Sequence, residues 1–278
     1  MADVSLKKRI WGWYFFDWAS QPYNTLLLTF IFGPYFAQTA AAQLMAGGMA
    51  EDIAKAQAQA LWGYGLAAAG ITIAILAPIL GGIADSTGRR MPWIWLFSAM
   101  YFIGAYALWW TAPQDFSVIW ALFFFGIGLI GMEFATIFTN SYLPSLGPKD
   151  ELGKISGSGW GFGYAGGVLS LLLMLALFQA GASGRTMAGL DPLFGLDPAT
   201  KADTRFVGPF SAIWFAVEHH RSGHFRHHRR SQWRAVLLAG RFCRPRNGAE
   251  AADYPVLSDP DGHRHPDRVA VAHVSLWH

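Results

Sequence analysis

Charge is what this sequence has least of. Only 14% of its 278 residues are Asp, Glu, Lys or Arg, where a soluble domain carries about 25%. A water-facing surface needs charge, so the deficit excludes an ordinary soluble globule more firmly than the 53% hydrophobic share does. Cysteine is reduced to Cys243, which excludes an internal disulfide framework and a thiolate zinc set. Histidine is missing from the first 217 residues. No G-x-x-x-x-G-K-[ST] loop is present to cradle phosphates, so ATP is not a direct drive. The apolar part holds no nucleophile–base pair and no metal cluster. Enzyme chemistry, a bound cofactor or metal, and nucleic-acid binding therefore find no support.

What is present is apolar length. A helix crossing the hydrocarbon needs about 20 mostly apolar residues. Five runs qualify, at about 11–37, 61–84, 91–112, 116–141 and 157–182, and a sixth begins at 206 and stops at 217. The first carries Asp17 and is too long for a signal-peptide core, so it reads as an uncleaved span. Trp109-Trp110 closes the third in the manner of a membrane interface. The expected fold is an all-α polytopic membrane protein.

Lys and Arg in short loops set orientation. With the N-terminus inside, inner segments hold Lys7, Lys8, Arg9, Arg89, Arg90, Lys149 and Lys154, against Lys55, Arg185, Lys201 and Arg205 outside. Seven against four favours a cytoplasmic N-terminus. The expected location is the bacterial inner membrane.

Two polar stripes cross the apolar runs. Asp17, Gln21 and Asn24 fall at i, i+4 and i+7, with Tyr14 three residues before, which places them on one helical face. Pro22 cannot donate to the helix ladder, so a kink is expected beside them. Glu133, Thr136 and Asn140 form the second stripe on the fourth run. An acid at a helix centre costs about 2.5–3.5 kcal/mol on insertion scales, and ionisable groups in a span usually face a cavity or the bundle interior. Asp17 and Glu133 are each about 9–12 Å from an inner end at 1.5 Å per residue. Both are expected to border one polar cavity for a solute or ion, with Glu133 protonatable. The competing readings are an interfacial Asp17 and a hydrogen-bonded structural Glu133. Gly159, Gly163 and Gly167 repeat every four residues, a small-residue face for close helix packing.

The segment GGIADSTGRRMPW, residues 81–93, joins the second and third runs. It resembles the signature loop of the major facilitator superfamily, G-x-L-A-D-x-x-G-R-[KR]. Gly81, Asp85, Gly88, Arg89 and Arg90 match, with Ile83 in place of Leu. A narrower resemblance, to the vacuole-effluxer, autophagy-related branch, rests on three stretches. These are WYFFDWASQPYNTLLLTFIFGPYFA at 13–37, TNSYLPSL at 139–146 and SGSGWGFGYAGG at 156–167. The resemblance covers residues 9–217. It implies two six-helix halves with solute bound between them and alternating access by rocking. It assigns a gating role to Asp85 and Arg89. It also points to amino-acid efflux, the activity linked to eukaryotic members, while bacterial members mostly lack an assigned substrate. On this reading the chain holds the N-terminal six-helix half with an incomplete sixth helix. The lipid bilayer, a small solute and protons are its partners, and the second half is missing.

Residues 218–278 differ in kind. They hold ten Arg and no Lys, all nine His and the single Cys. The leading reading is a frameshifted, non-native end, since the sixth run stops at half length. A metal-binding tail using His219, His220, His224, His227 and His228, and a basic segment drawn to anionic lipid, are alternatives. Lacking apolar periodicity, most of this tail is expected to be disordered. The expected function is secondary transport by the intact parent, with this chain truncated and inactive alone. A non-transporting remnant, or a half-transporter that dimerises, are the alternatives, and an intramembrane enzyme or channel is more distant.

Overall fold

The computed structural model describes residues 5–87 and 90–221. The Arg/His-rich tail with His224, His227 and His228 lies outside the described residues, as do Gly88, Arg89 and the side chains of Asp85, His219 and His220. Among the described residues the fold is helical, and five segments are long and apolar enough to cross a membrane.

The first span is one rod built from three pieces. Helix α1 covers Leu6–Pro22, a π-helical segment covers Tyr23–Phe30, and α2 covers Phe32–Ala46. The long helix α3, Glu51–Thr87, follows. Then come α4 at Met91–Ala107, α5 at Val118–Asn140 and α6 at Leu152–Leu177. A short turn, α7 at Ala202–Arg205, leads into α8 at Val207–Arg221. Helix α1 packs on α6 and α8, α4 packs on α5 and α8, and α3 lies against α2 and α5.

Several boundaries differ from the apolar runs. The first two spans reach 6–46 and 51–84, so the stretch expected to be an outer loop is helical. Its sequence explains this. AQTAAAQLMA and EDIAKAQAQA are rich in Ala, the strongest helix former. The extensions pack through buried Ala40, Ala41, Ala54 and Ala58. Gly48, at φ 91°, makes the turn between them, and Lys55 pairs with Glu51 at 2.6 Å one turn away. The Gln43 amide fastens the extension to the Phe116 carbonyl at 2.7 Å. The third and fourth spans occupy 91–110 and 118–145.

Helix α6 starts at Leu152 and ends at Leu177, short of Ala182. The Asp203 carboxylate accepts the Ala180 N–H at 2.9 Å just beyond that end. Helix α8 continues four residues past Val217, to Arg221. At 15 residues it is about 22 Å long. On α3, Ile71, Ile75, Ile79 and Ile83 stand exposed one turn apart, an apolar row suited to lipid.

The core is aromatic. Tyr23, Phe32, Phe36, Tyr101, Phe125 and Phe134 are fully buried. Phe215 of α8 stacks on Tyr101 of α4 with centroids 4.1 Å apart. Glycine lets α4 and α5 touch backbone to backbone. A Cβ on Gly104 would fall 2.5 Å from the Gly128 Cα, and one on Gly131 would meet the Tyr101 nitrogen at the same distance.

Candidate functional site

Pro22 shapes the first span. Lacking an N–H, it leaves the Trp18 carbonyl, four residues back, without its helical donor. The Trp214 indole of α8 donates to that carbonyl at 3.4 Å and stacks on the Trp18 ring. Immediately after Pro22 the helix widens into the π segment, a form often found at functional sites. The Thr29 hydroxyl donates to the Asn24 carbonyl at 2.8 Å within it.

The polar face of this rod meets α6. A Cβ on Gly159 would collide with the Trp13 ring, one on Gly163 with the Asp17 carboxyl, and one on Gly167 with the Thr25 hydroxyl. Gln21 flanks Gly163 and Gly167, and Trp18 covers Gly166. Trp13, Asp17, Gln21 and Thr25 therefore run at intervals of four along the glycine stripe. Asp17 Oδ2 is buried there and has no protein hydrogen-bond partner, and neither has the Trp13 indole nitrogen. Tyr14 turns toward Trp11, Trp13 and Phe162.

Asn24 takes another direction. Its amide points to the Met132 sulfur of α5 at 4.0 Å, and the Thr136 hydroxyl reaches the same sulfur at 3.9 Å. One member of each polar stripe thus meets at Met132. Glu133 is part-buried on α5, and Asn140 is exposed at its end.

Arg90, the last residue of the signature motif, is held at one end of the bundle. Arg90 donates from Nη1 to the Ser141 carbonyl at 3.1 Å and lies 5.8 Å over the Tyr142 ring. Arg9 donates to the Ser145 hydroxyl at 2.8 Å. The turn after α5 thus gathers Arg9 of α1 and Arg90 at the start of α4. At the opposite end, buried Arg205 donates to the Trp109 carbonyl at 2.6 Å and lies 5.0 Å over that ring. The Tyr35 hydroxyl donates to the Thr111 carbonyl.

Sequence reasoning passed over Tyr23, which donates to the Phe125 carbonyl at 2.6 Å and presses on Gly128. The signal was its place directly after Pro22. Gly104, Gly128 and Gly131 were passed over as well, because they are spread over two helices and form no stripe on one.

Among the described residues no three His, Cys, Asp or Glu side chains form a metal-binding group. Crossing helices, two intramembrane acids and a guanidinium-bearing signature loop define a multi-pass integral membrane protein of the major facilitator type. The chain belongs to the vacuole effluxer Atg22-like family, which matches residues 5–153. It is 27% identical over 166 residues to the uncharacterized MFS-type transporter YxiO of Bacillus subtilis (strain 168). That similarity covers 60% of this chain and 36% of the relative, so the chain spans about a third of that protein's length. No solved structure matches.

Proposed function

We propose that this chain supplies the N-terminal half of a secondary transporter that moves a small solute by alternating access. The observation that carries the reading is the meeting of Asn24 and Thr136 at Met132, which joins the polar stripes of the first and fourth spans. Intramembrane polar groups that converge in this way mark solute or ion paths. Asn24 and Thr136 line the path where the first span meets α5, with Glu133 and Asn140 along α5, and Tyr14, Asp17 and Gln21 continue it along the face of the first span turned to α6. Glu133 exchanges a proton with the path and couples transport to the proton gradient. The solute is an amino acid, in keeping with the effluxer family. Gly81, Asp85, Gly88, Arg89 and Arg90 gate the inner end, where Ser141 and Tyr142 seat Arg90 against the turn after α5. The N-terminus faces the cytoplasm and the membrane is the bacterial inner membrane.

The test is uptake of labelled amino acids by vesicles holding the full chain, alone and with a separately expressed second half from a relative, across a pH gradient. Transport that falls at least tenfold and loses its pH dependence in Glu133→Gln is expected. An unchanged rate and pH profile in that variant would sink the proton role. Failure of both preparations to move any amino acid would sink the solute assignment.

A further inference from the structure

The seam between α1 and α6 contains a part-buried carboxyl with one oxygen cut off from water and from protein donors. Asp17 Oδ2 is buried and reaches no protein hydrogen-bond donor. The surface opposite it is the backbone of Gly163, so close that an added Cβ would lie 2.7 Å from the Asp17 Cγ. The N–H groups of that backbone are committed to the helix ladder of α6 itself. The Lys55–Glu51 ion pair lies far from this seam in the chain.

The other ionisable groups near the seam are few. Helix α6 carries Lys154 in its first turn, nine residues before Gly163, and Tyr164, which is 56% exposed. Helix α5 brings Glu133, and α8 brings Glu218 with His219, His220 and Arg221 at its far end. On the first span itself lie Lys7, Lys8, Arg9, Tyr14, Tyr23 and, beyond the π segment, Tyr35. Tyr23 is engaged with the Phe125 carbonyl, Arg9 with Ser145, and Tyr14 with the ring of Phe162. An ionised carboxylate needs a cation or several donors when water is excluded. A neutral carboxyl packs on a glycine backbone without that requirement.

We propose that Asp17 is a proton-binding site built into the α1–α6 seam, neutral while the seam is closed and ionised when α6 withdraws. On opening, the carboxyl O–H bond breaks and the proton passes to water entering along Gln21 and Thr25, the polar residues next on the stripe. Closing reverses the step. The seam is thereby a two-position element whose balance depends on pH. The proposal rests on the transport reading for its purpose, and it adds a second carboxyl and a named helix pair to that reading.

Infrared difference spectroscopy on the full chain in lipid nanodiscs tests it without any transport step. At pH 7 the carbonyl stretch of a protonated carboxyl is expected in the wild type and in Glu133→Gln, and is expected to be lost when Asp17→Asn is added to Glu133→Gln. If Asp17→Asn does not fold, Glu133→Gln that also carries Asp203→Asn and Glu218→Gln decides alone, because the Asp203 side chain and Glu218 Oε2 are buried as well. Loss of the band in that variant, or no band in the wild type, overturns the proposal. Gly163→Ala puts a methyl against the carboxyl and is expected to move the titration at least tenfold in proton concentration. Gly161→Ala, which faces open space, is expected to leave it in place. Equal titrations in the two alanine variants also overturn it. An absent band beside intact transport removes only this proposal, whereas a present band beside failed transport removes only the transport reading.

Discussion

Of the helix pairs in this bundle that approach over glycine, two differ in what glycine admits. Between α4 and α5, Gly104 and Gly131 admit the partner's backbone, and the rings of Phe97, Phe134 and Phe138 stack alongside. The polar group pressed on Gly128 is the Tyr23 hydroxyl, satisfied by the Phe125 carbonyl. Hydroxyls left without a partner in this region, on Ser98, Tyr101 and Thr139, carry no charge that must be compensated. Between α1 and α6, glycine admits side chains instead, and one of them is an acid. Close packing of backbone on backbone has one good arrangement. Close packing of a flexible polar row on a smooth glycine face has alternatives. The first seam suits a fixed frame and the second suits motion.

The contrast is open to direct challenge. The largest effect is expected for Gly104→Ala, whose Cβ would lie 2.5 Å from the Gly128 Cα and 2.6 Å from the Phe124 carbonyl oxygen, both backbone atoms that cannot swing aside. A loss of about 3 kcal/mol is expected from such overpacking, read by reversible denaturant unfolding in mixed micelles. Gly163→Ala should cost less, about 1–2 kcal/mol, because the Asp17 side chain is able to rotate away. Equal losses in the two variants would erase the distinction between the seams. Tyr23→Phe removes the 2.6 Å hydrogen bond to the Phe125 carbonyl and is expected to cost about 1 kcal/mol, without altering the infrared titration of Asp17. The smallest effect belongs to Trp214→Phe, which withdraws the donor to the Trp18 carbonyl and is expected to cost about 0.5–1 kcal/mol. In a Pro22→Ala background that cost should vanish, since the substitution supplies the backbone N–H that proline lacks. A double-mutant cycle showing no coupling would detach the α8 indole from the proline break.

The membrane spans were legible in the sequence because apolar length is a strong signal. The glycine stripe was legible too, because Gly159, Gly163 and Gly167 recur on one helix. Asp17 and Gln21, four residues apart, lie on a common face and both meet α6. Asn24 was grouped with them by α-helical spacing, yet it points to α5. The reason is local. The π segment begins at Tyr23 and changes the period, so a count of seven residues carried across Pro22 no longer returns to the same face. The helical hairpin formed by the ends of α2 and α3 was hidden for a different reason, since Gln, Lys and Glu lower hydropathy while Ala sustains the helix. Arg205 looked like a loop charge and is instead 8% exposed, held by carbonyls and an indole ring. Contacts of that kind depend on where distant segments arrive, which spacing along one helix does not encode.

The proline break also bears on how the protein is made. The carbonyl of Trp18 and the indole that serves it are 196 positions apart. A ribosome adds about 5–20 residues each second, so α1 emerges roughly ten to forty seconds before its donor has been synthesised. In hydrocarbon a carbonyl without a donor is penalised, and the long bond from Trp214 relieves about 0.5–1 kcal/mol of that. Helix α1, made well before α8, is thus chemically complete only late, and its final settling awaits the arrival of α8.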